Sequence, residues 1–367
     1  MSGIRFVHTD FLRLGSPLTG IAQPPTWLQS LAAECVRTAV RNIVETTLAR
    51  QAQLLVIAGS VCDSQEDLDP AVRWLNEQFA QLRRAGVRIA AFADDSRTAT
   101  ALGSVCDVVL TRSETLHVAP SGSGLQLSRM SALSGSCSGL TISAGASVTP
   151  DAARLLYQAV PAVQPSADCD RTSVRGFLAL SAGAAQTVSP SETWNCGCIV
   201  VDADLNSREL TSTFSLCNPV RYASEQLDLS DVTTVERLTS EIVRATREAD
   251  RHSGQTVIAA WQVRTGLTAD VQELAGLDEQ HLLQRLRNQL EAGHKGVWPA
   301  SVTFTRSATL QLSSSGGESV EQYFDVVTGT VDAYDVNTFA DRRIVLRGGA
   351  GISAELIAGL QLLNRVA

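Results

Sequence analysis

Lysine is almost absent from this chain. Lys295 is the only lysine among 367 residues, and the formal net charge is -8. Any contact with a phosphate or a nucleic-acid backbone must therefore come largely from arginine, backbone amides or hydroxyls. The acidic balance also argues against a large nucleic-acid footprint, although it is compatible with a local basic patch.

Long apolar runs and Cys-x-x-Cys motifs are missing as well. No apolar run approaches the ~20 residues that span a bilayer, and the first residues lead directly into a predicted strand, without the layout of a signal peptide. The eight cysteines show no Cys-x-x-Cys spacing, which favours reduced thiols. We therefore expect a cytoplasmic protein without a membrane segment.

The first third of the chain alternates apolar segments with amphipathic ones, which predicts alternating strands and helices. The predicted strands are Ile4–Thr9, Leu54–Ala58, Val87–Ala93 and Asp107–Leu110, and the predicted helices run from Thr26 to about Ala52 and from Asp69, as a cap, to Gly86. This β-α-β order indicates a sheet with helices on both faces.

The rest of the chain is less regular. Residues from about Pro120 to Pro190 are rich in Ser, Gly and Ala, and their periodicity is weak. Cys198–Asp202 and Glu209–Leu216 predict an antiparallel pair of strands. Thr233 has the spacing of a capping box and predicts a helix, which a strand follows. We predict a first domain over residues 1–225 and an α/β C-terminal domain over 226–367.

The segment from Ile4 to Leu18 resembles the first strand of a known family. Its His-Thr-Asp-Phe-Leu-Arg-Leu-Gly-Ser-Pro-Leu is similar to the His-Thr-Ala-Asp-Leu-His-Leu-Gly-Ser-Pro-Leu of SbcD/YhaO-type DNA-repair exonucleases, which are calcineurin-like metallophosphoesterases. The resemblance extends to about residue 275. The other matching segments are Leu54–Asp63, Gly86–Arg97, Gly139–Ser143, Gly197–Asp202, Asn218–Tyr222 and Gln262–Gly266.

This resemblance implies a specific fold and specific partners. The fold would be the four-layer α/β/β/α metallophosphoesterase sandwich, with a smaller α/β C-terminal capping domain. Members of the family use two Mn²⁺ or similar divalent ions, and related nucleases pair with an SbcC/YhaN-like coiled-coil ATPase. DNA would be the substrate class.

The chain departs from the family at the positions that hold the metals. A two-metal centre needs ions about 3.5–4 Å apart, bridged and flanked by carboxylate, imidazole and amide ligands. The positions that match family ligands, or lie within the matching motif, are Phe11, Arg13, Ser60, Asp95, Ser96 and Ser143. A paired-histidine motif is also missing, because no two of the five histidines lie within ten residues of each other. We therefore expect no catalytic residues and no bound cofactor.

Two alternatives remain for the residues near this site. Carboxylates and one imidazole could form a weak rebuilt metal site, with Asp10, Asp63, Asp94, Asp95 and His117 as its ligands. Arg13 could bind a phosphate directly, or it could pair with Asp95 or Asp63. His8 is expected to be a satisfied histidine at a strand end, and Cys196-Gly-Cys198 the start of a strand.

Three functions are compatible with these observations. The first is a pseudo-nuclease that acts as a scaffold or subunit of a DNA-repair-type complex with the coiled-coil ATPase. The second is an active DNA exonuclease or phosphodiesterase with the rebuilt metal site. The third is nucleic-acid binding through arginines such as Arg13. A homodimer is compatible with the sequence.

Overall fold

The computed structural model describes residues 3–111, 115–118, 125–128, 139–144, 155–169, 172–229, 235–250, 254–266, 279–291, 296–307, 309–311 and 343–345. The chain divides into two compact units. The first consists of Met1–Ala223 and Ser253–Ile258, and the second of Ser224–His252 and Ala259–Ala367. The division at residue 225 into functional domains stays a prediction.

The first unit contains two sheets and three described α-helices. In chain order its elements are β1 (Gly3–Thr9), α1 (Thr26–Ala49), β2 (Leu54–Ile57), α2 (Leu68–Arg84), β3 (Arg88–Phe92), α3 (Ser96–Leu102), β4 (Val108–Leu110), β5 (Thr115–Val118), β6 (Leu125–Ser128), β7 (Leu140–Ala144), β8 (Leu155–Ala159), a 3-10 turn (Ala167–Cys169), β9 (Ser173–Arg175), β10 (Phe177–Leu180), β11 (Gly197–Asp204) and β12 (Glu209–Leu216).

The larger sheet has seven strands in the order β4-β3-β2-β1-β11-β12-β9. Strands β1 to β4 are parallel, and β11 is antiparallel to β1 with Phe6 opposite Val201. The predicted pairing of β11 with β12 is confirmed, with Cys198 opposite Ser215. Because parallel strands end at the same edge, the loops after β1, β2 and β3 lie together.

The smaller sheet has five strands in the order β10-β8-β7-β6-β5, and it packs against the larger one. Alternate residues from both sheets form one apolar core, as sheets packed face to face require. Phe6 of β1 contacts Tyr157 of β8 with ring centroids 5.0 Å apart. The expectation of helices on both faces of the first sheet is therefore wrong, because the second sheet covers one of them.

Helix α1 covers the other face of the larger sheet, where it contacts β1 and β11. Its buried positions Cys35, Val36, Ala39, Val40 and Ile43 follow the helical spacing that the sequence shows. The predicted cap of α2 is wrong: Asp69 lies inside the first turn and Asp67 is the N-cap residue. The helical bonding already includes Asp67, because its carbonyl accepts the Ala71 N–H at 3.0 Å.

Four of the five strands of the smaller sheet, β6, β7, β8 and β10, lie within the region whose periodicity is weak. All five residues of β8 are buried, and a strand that is buried on both faces shows no alternation. The connections 129–138 and 145–154 lie outside the described residues. The architecture is mixed α/β, as the sequence predicted, whereas the second helical layer stays a prediction.

The remaining elements form two further sheets. They are β13 (Val220–Leu229), α4 (Val235–Asp250), β14 (Thr256–Gly266), α5 (Glu279–Glu291), β15 (Val297–Ser307), β16 (Thr309–Gln311) and β17 (Arg343–Val345). Strands β13, β14 and β15 form a sheet in that order, and β16 pairs with β17. The helix predicted after Thr233 is confirmed as α4, in which Leu238 and Ile242 are buried, whereas Thr233 itself lies outside the described residues. None of the described helices is long and apolar enough to cross a membrane.

Candidate functional site

The segment after β1 brings three of the matched positions to one edge of the larger sheet. Residues 10–14 continue beside the loop that follows β2, with the segment after β10 on the other side. The backbone hydrogen bonds that hold this path are Leu12 N–H to Ser60 O at 3.0 Å, Leu14 N–H to Val61 O at 2.9 Å and Ala185 N–H to Phe11 O at 2.8 Å. Phe11, Arg13 and Ser60 therefore belong to one site.

Phe11 packs against the backbone of Gly59. The side chain is half-buried, and a Cβ placed on Gly59 would lie 3.1 Å from the ring carbon Cδ1 and 2.9 Å from the carbonyl carbon of Asp10. Only glycine allows the two segments to approach this closely. The phenyl ring is thus only partly removed from solvent.

Arg13 is held by two carboxylates. Its Nε donates to Asp63 Oδ2 at 3.0 Å, and its Nη1 donates to Glu192 Oε1 at 2.7 Å and to Oε2 at 2.9 Å. The arginine side chain is 15% exposed and that of Glu192 12%. Burial lowers the pKa of Arg13, but the hydrogen bonds to Glu192 and Asp63 outweigh it and the pKa is raised.

Both carboxylates around Arg13 are fixed by further contacts. Glu192 Oε2 accepts the Val188 N–H at 2.8 Å, and Asp63 Oδ2 accepts the Ser16 hydroxyl at 2.7 Å. The alternative in which Arg13 pairs with Asp63 is therefore present in the structure. Phosphate binding by Arg13 stays a prediction.

Asp95 begins a helix. It is the N-cap of α3, and its carboxylate accepts the Thr98 N–H at 2.8 Å and the Thr98 hydroxyl at 2.7 Å. These two bonds, with the backbone bond as the largest cause, hold the pKa of Asp95 below its ordinary value. Ser96 is the first residue of the same helix. Both residues therefore belong to the first turn of α3. Asp95 is not the partner of Arg13, which binds Asp63 and Glu192 instead.

A small cavity of about 70 Å³ lies beyond β2 and β3. It has room for a few water molecules and is far below the ~300 Å³ at which ligand pockets begin. The lining includes Ser60, Cys62, Phe92 and Thr98, together with Asp94 and Asp95. Asp94 and Asp95 are exposed at this cavity, and the exposed Arg97 donates to the carbonyl oxygen of Gln65, which also lines it, at 3.4 Å.

His8 and Asp10 form a buried pair inside the sandwich. His8 Nε2 lies 2.7 Å from Asp10 Oδ1, and His8 Nδ1 lies 2.8 Å from the Tyr157 hydroxyl. All three residues are completely buried. An ionised carboxylate only accepts hydrogen bonds, so a proton on Nε2 satisfies this contact. The expectation that His8 is a satisfied histidine is confirmed.

The second oxygen of Asp10 is bound by the segment after β10. Oδ2 accepts the Ser181 hydroxyl at 2.9 Å, the Ala182 N–H at 2.9 Å and the Gly183 N–H at 3.1 Å. Gly183 has a φ of 75°, the left-handed conformation that favours glycine. Burial above all, and then the charge of Asp10, raises the pKa of Tyr157.

Among the described residues, those at the matched positions do not provide the ligand set of a two-metal centre. Within the part of the chain that the structure describes, no three His, Cys, Asp or Glu side chains lie close enough together to hold a metal ion. Of the residues suggested for a rebuilt site, Asp10 is committed to the buried network, Asp63 to Arg13 and Asp95 to α3. Asp94 lines the cavity.

Two positions from the sequence analysis lie in the smaller sheet. His117 belongs to β5, opposite Gln126 of β6, and its side chain lies outside the described residues. Ser143 is buried in β7. Its neighbours Ile142 and Ala144 face the core between the sheets, so the serine side chain lies on the other face of the strand.

Sequence reasoning missed Glu192, Tyr157 and the segment Ser181–Gly183. The small residues of that segment come directly after the apolar strand Phe177–Leu180, a pattern typical of a tight turn at a strand end. This pattern indicates the turn from the sequence alone. Glu192 meets Arg13 across 179 residues of sequence, and no local pattern indicates such a contact.

A comparison with curated proteins finds one distant similarity. The chain is 25% identical over 89 residues to "Uncharacterized metallophosphoesterase YhaO" of Bacillus subtilis (strain 168). The match covers 24% of this chain and about a fifth, 22%, of that protein. No family model matches the chain. This similarity and the mixed α/β fold together suggest the metallophosphoesterase superfamily.

Proposed function

We propose that this chain is a catalytically inactive member of the SbcD/YhaO-like metallophosphoesterases, a pseudo-nuclease that serves as a scaffold or subunit of a DNA-repair-type complex. The main support comes from Arg13 and its two carboxylate partners, which are called the Arg13 group below. Where the family places a metal-binding histidine, the guanidinium of Arg13 is paired with Asp63 and Glu192. The arrangement is complete without a metal.

Electrostatics at this position support the proposal. A divalent ion a few ångströms from a guanidinium is repelled by several kcal/mol even at an effective dielectric constant near ~20. Moving Arg13 aside would leave Glu192, which is 12% exposed, without its charged partner. A partly buried carboxylate without a partner is costly. Metal binding would thus be opposed both by repulsion from Arg13 and by the cost of leaving Glu192 without its partner.

The neighbouring positions support it as well. An aromatic ring at Phe11 offers no lone pair to a metal ion, and its contact with Gly59 takes up space beside the loop that holds Ser60. Asp95, the one oxygen ligand that remains, already binds the first turn of α3. Serine hydroxyls and one carboxylate that already caps a helix make a poor set of donors for a hydrolytic centre.

Direct DNA binding through Arg13 has less support than a protein partner. The guanidinium and its two carboxylates carry a net charge of about -1 when all three are ionised. The nearby carboxylates Asp94 and Asp95 are exposed. A phosphate that approached Arg13 would meet the net negative charge of Arg13, Asp63 and Glu192, which disfavours direct DNA binding. We assign the role of partner to an SbcC/YhaN-like coiled-coil ATPase, as the family resemblance implies.

Metal titration and hydrolysis test the catalytic part of the proposal. Calorimetry with Mn²⁺ should show no stoichiometric binding, and the protein should hydrolyse neither bis-p-nitrophenyl phosphate nor linear DNA. Turnover that requires Mn²⁺ and disappears in Asp95→Ala would instead establish the active enzyme. DNA binding without hydrolysis, with a steep dependence on salt, would favour the nucleic-acid-binding alternative.

Restoring the ligands gives a sharper test. The triple variant Phe11→Asp, Arg13→His and Ser60→Asp should gain measurable Mn²⁺ affinity over the parent if the superfamily site was lost at these positions. The control Arg37→His changes an exposed arginine of α1 and should gain none. Equal affinity of parent and triple variant would contradict the assignment of the site.

The scaffold role needs a separate experiment. The purified chain and an SbcC/YhaN-like ATPase from the same genome should elute together in size-exclusion chromatography, whereas an unrelated coiled-coil ATPase should not. Elution of the chain alone as a homodimer, with no shift on addition of the ATPase, would count against that partner.

A further inference from the structure

Three cysteines are buried where β11 begins and β12 ends. Cys196 and Cys198 flank Gly197, and Cys217 follows Leu216. The Cys217 N–H donates to the Cys196 carbonyl at 3.0 Å, which extends the ladder between the two strands. A Cβ on Gly197 would collide with the carbonyl oxygen of Ser215. Glycine at this position therefore lets the two strands approach unusually closely.

The sulfur atoms of Cys198 and Cys217 are in contact. The two Sγ atoms lie 3.7 Å apart, and both cysteines are free thiols. A disulfide needs the sulfurs at about 2.05 Å, so side-chain rotation with a small backbone shift must close the remaining gap. The neighbouring helix holds the Cys217 backbone, because Asn42 Nδ2 donates to its carbonyl oxygen at 2.6 Å.

The two thiols differ in acidity. The hydrogen bond between the two thiols is the main cause that lowers the pKa of Cys217, and the Thr46 hydroxyl contributes in the same direction against burial. The same bond is the main cause that raises the pKa of Cys198. Elsewhere burial raises the pKa of Cys35 and of Cys106 to about 12. A thiolate forms more readily at Cys217, and the thiolate is the form that reacts.

We propose that Cys198 and Cys217 are a site of reversible oxidation, at which a hydroperoxide converts the dithiol to a disulfide. The Cys217 thiolate attacks the peroxide oxygen, the O–O bond breaks, and the products are Cys217 sulfenic acid and an alcohol or water. Cys198 then attacks the Cys217 sulfur, the S–S bond forms, and water leaves. The two thiols lose two electrons and two protons in total, and the peroxide takes up both.

Access to the buried pair is provided by its place in the sheet. Cys217 lies one residue beyond the end of β12, and Leu216 beside it is 42% exposed. Strand ends open locally at a much lower free energy than the whole fold. A small peroxide can reach Cys217 in such an opening, whereas Cys35 in the middle of α1 is completely buried.

Peptide mapping tests the proposal on the unmodified protein. Cleavage after arginine places Cys196 and Cys198 in the peptide 176–208 and Cys217 in the peptide 209–221, so the disulfide joins two separate peptides. The folded protein is treated with hydrogen peroxide, its remaining thiols are alkylated, and the digest is analysed by mass spectrometry. We expect the joined pair, with fragmentation placing the bond on Cys198, and its loss after dithiothreitol.

Variants assign the roles of the two cysteines. Cys198→Ser should abolish the joined peptides and leave a sulfenic acid at Cys217 that dimedone traps, whereas Cys196→Ser and Cys35→Ser should leave the bond intact. In the untreated protein, iodoacetamide should alkylate Cys217 roughly tenfold faster than Cys35, since the thiolate is the nucleophile. Joined peptides that form only in denaturant, a bond to Cys196, or no bond in the folded protein would overturn the proposal.

Discussion

Two polar groups centred on one short segment, one on Asp10 and one on Arg13, have opposite environments. Asp10 lies inside the sandwich with no exposed surface, and its partners are His8, Ser181 and two backbone amides. Three residues later, Arg13 binds Asp63 and Glu192 at the edge of the sheet, where Asp63 is 43% exposed. The chemistry is similar, but solvent screens only the second group. Polar contacts of the same kind should therefore differ widely in their effect on stability.

Replacing Asp10 should have the largest effect. Asp10→Ala removes the acceptor of His8, Ser181 and two amides and leaves these donors buried, so we expect a loss of about 3–5 kcal/mol in the free energy of unfolding. Urea denaturation measures it. The exposed Asp63→Ala should cost much less. Equal losses in the two variants would refute the contrast drawn between the two groups.

Phe11 lies between the two groups, and its replacement should have the next largest effect. Phe11→Asp puts a carboxylate against the backbone of Gly59 and loses part of the buried ring, so we expect about 2 kcal/mol of destabilisation in the absence of metal. Phe11→Leu, the matched control, stays apolar and should cost less than about 1 kcal/mol. A Phe11→Asp protein as stable as the parent would show that the half-buried ring contributes nothing.

The Arg13 group should respond more weakly. Arg13→Ala leaves Glu192 partly buried without its charge partner, and we expect a loss of about 1–2 kcal/mol, discounted for the exposure of Asp63. DNA affinity should not change. Arg37→Ala, which removes a surface pair with Glu34, is the control and should stay within about 0.5 kcal/mol. A drop in DNA affinity at unchanged melting temperature would instead make Arg13 a phosphate contact.

The smallest effect is expected at Asp95 and depends on pH. Asp95→Ala removes the cap of α3 and should cost about 1 kcal/mol, whereas Asp95→Ser keeps an acceptor and should cost less. The pKa of Asp95 is lowered in the folded state, so its contribution is present above the ordinary pKa of a carboxyl group, about 3.9, and disappears as pH falls through the lower folded pKa. Denaturation of parent and Asp95→Ala at pH 7 and at acidic pH should show their stabilities converging; a constant difference would exclude this role.

Much of the larger sheet could be predicted from local patterns. The four-residue apolar run of β2 and the spaced apolar positions of α1 each indicate an element directly, because the side chains that must be buried follow the period of the backbone. The strands of the smaller sheet could not be located so well. Those such as β8 are buried on both faces, so alternation, the usual signal of a strand, is missing.

Parts of the candidate site could likewise be predicted from the sequence, and other parts could not. The identities at Phe11, Arg13 and Ser60 can be read from the sequence, and so can their mismatch with a two-metal centre. The partners of Arg13 could be predicted only in part: Asp63 follows a neighbouring parallel strand, whose end must lie at the same edge, whereas Glu192 lies in an irregular segment. The role of Asp95 was missed because Asp-x-x-Thr in an exposed turn is ambiguous without the start of α3.

The sequence by itself determined the mixed α/β class, the order of the first strands and helices, and which residue types stand at the end of β1, since these depend on local periodicity and on identity alone. Only the tertiary structure decided that Tyr157, Ser181 and Gly183 close around His8 and Asp10, that Glu192 holds Arg13, and that Cys198 touches Cys217. The contacts around Asp10 and Arg13 join elements that are distant in sequence, whereas Cys198 and Cys217 meet diagonally across two consecutive strands. Which residues meet is decided by the packing of one sheet on another and by the need of buried polar groups for hydrogen bonds. No local sequence pattern indicates these pairings.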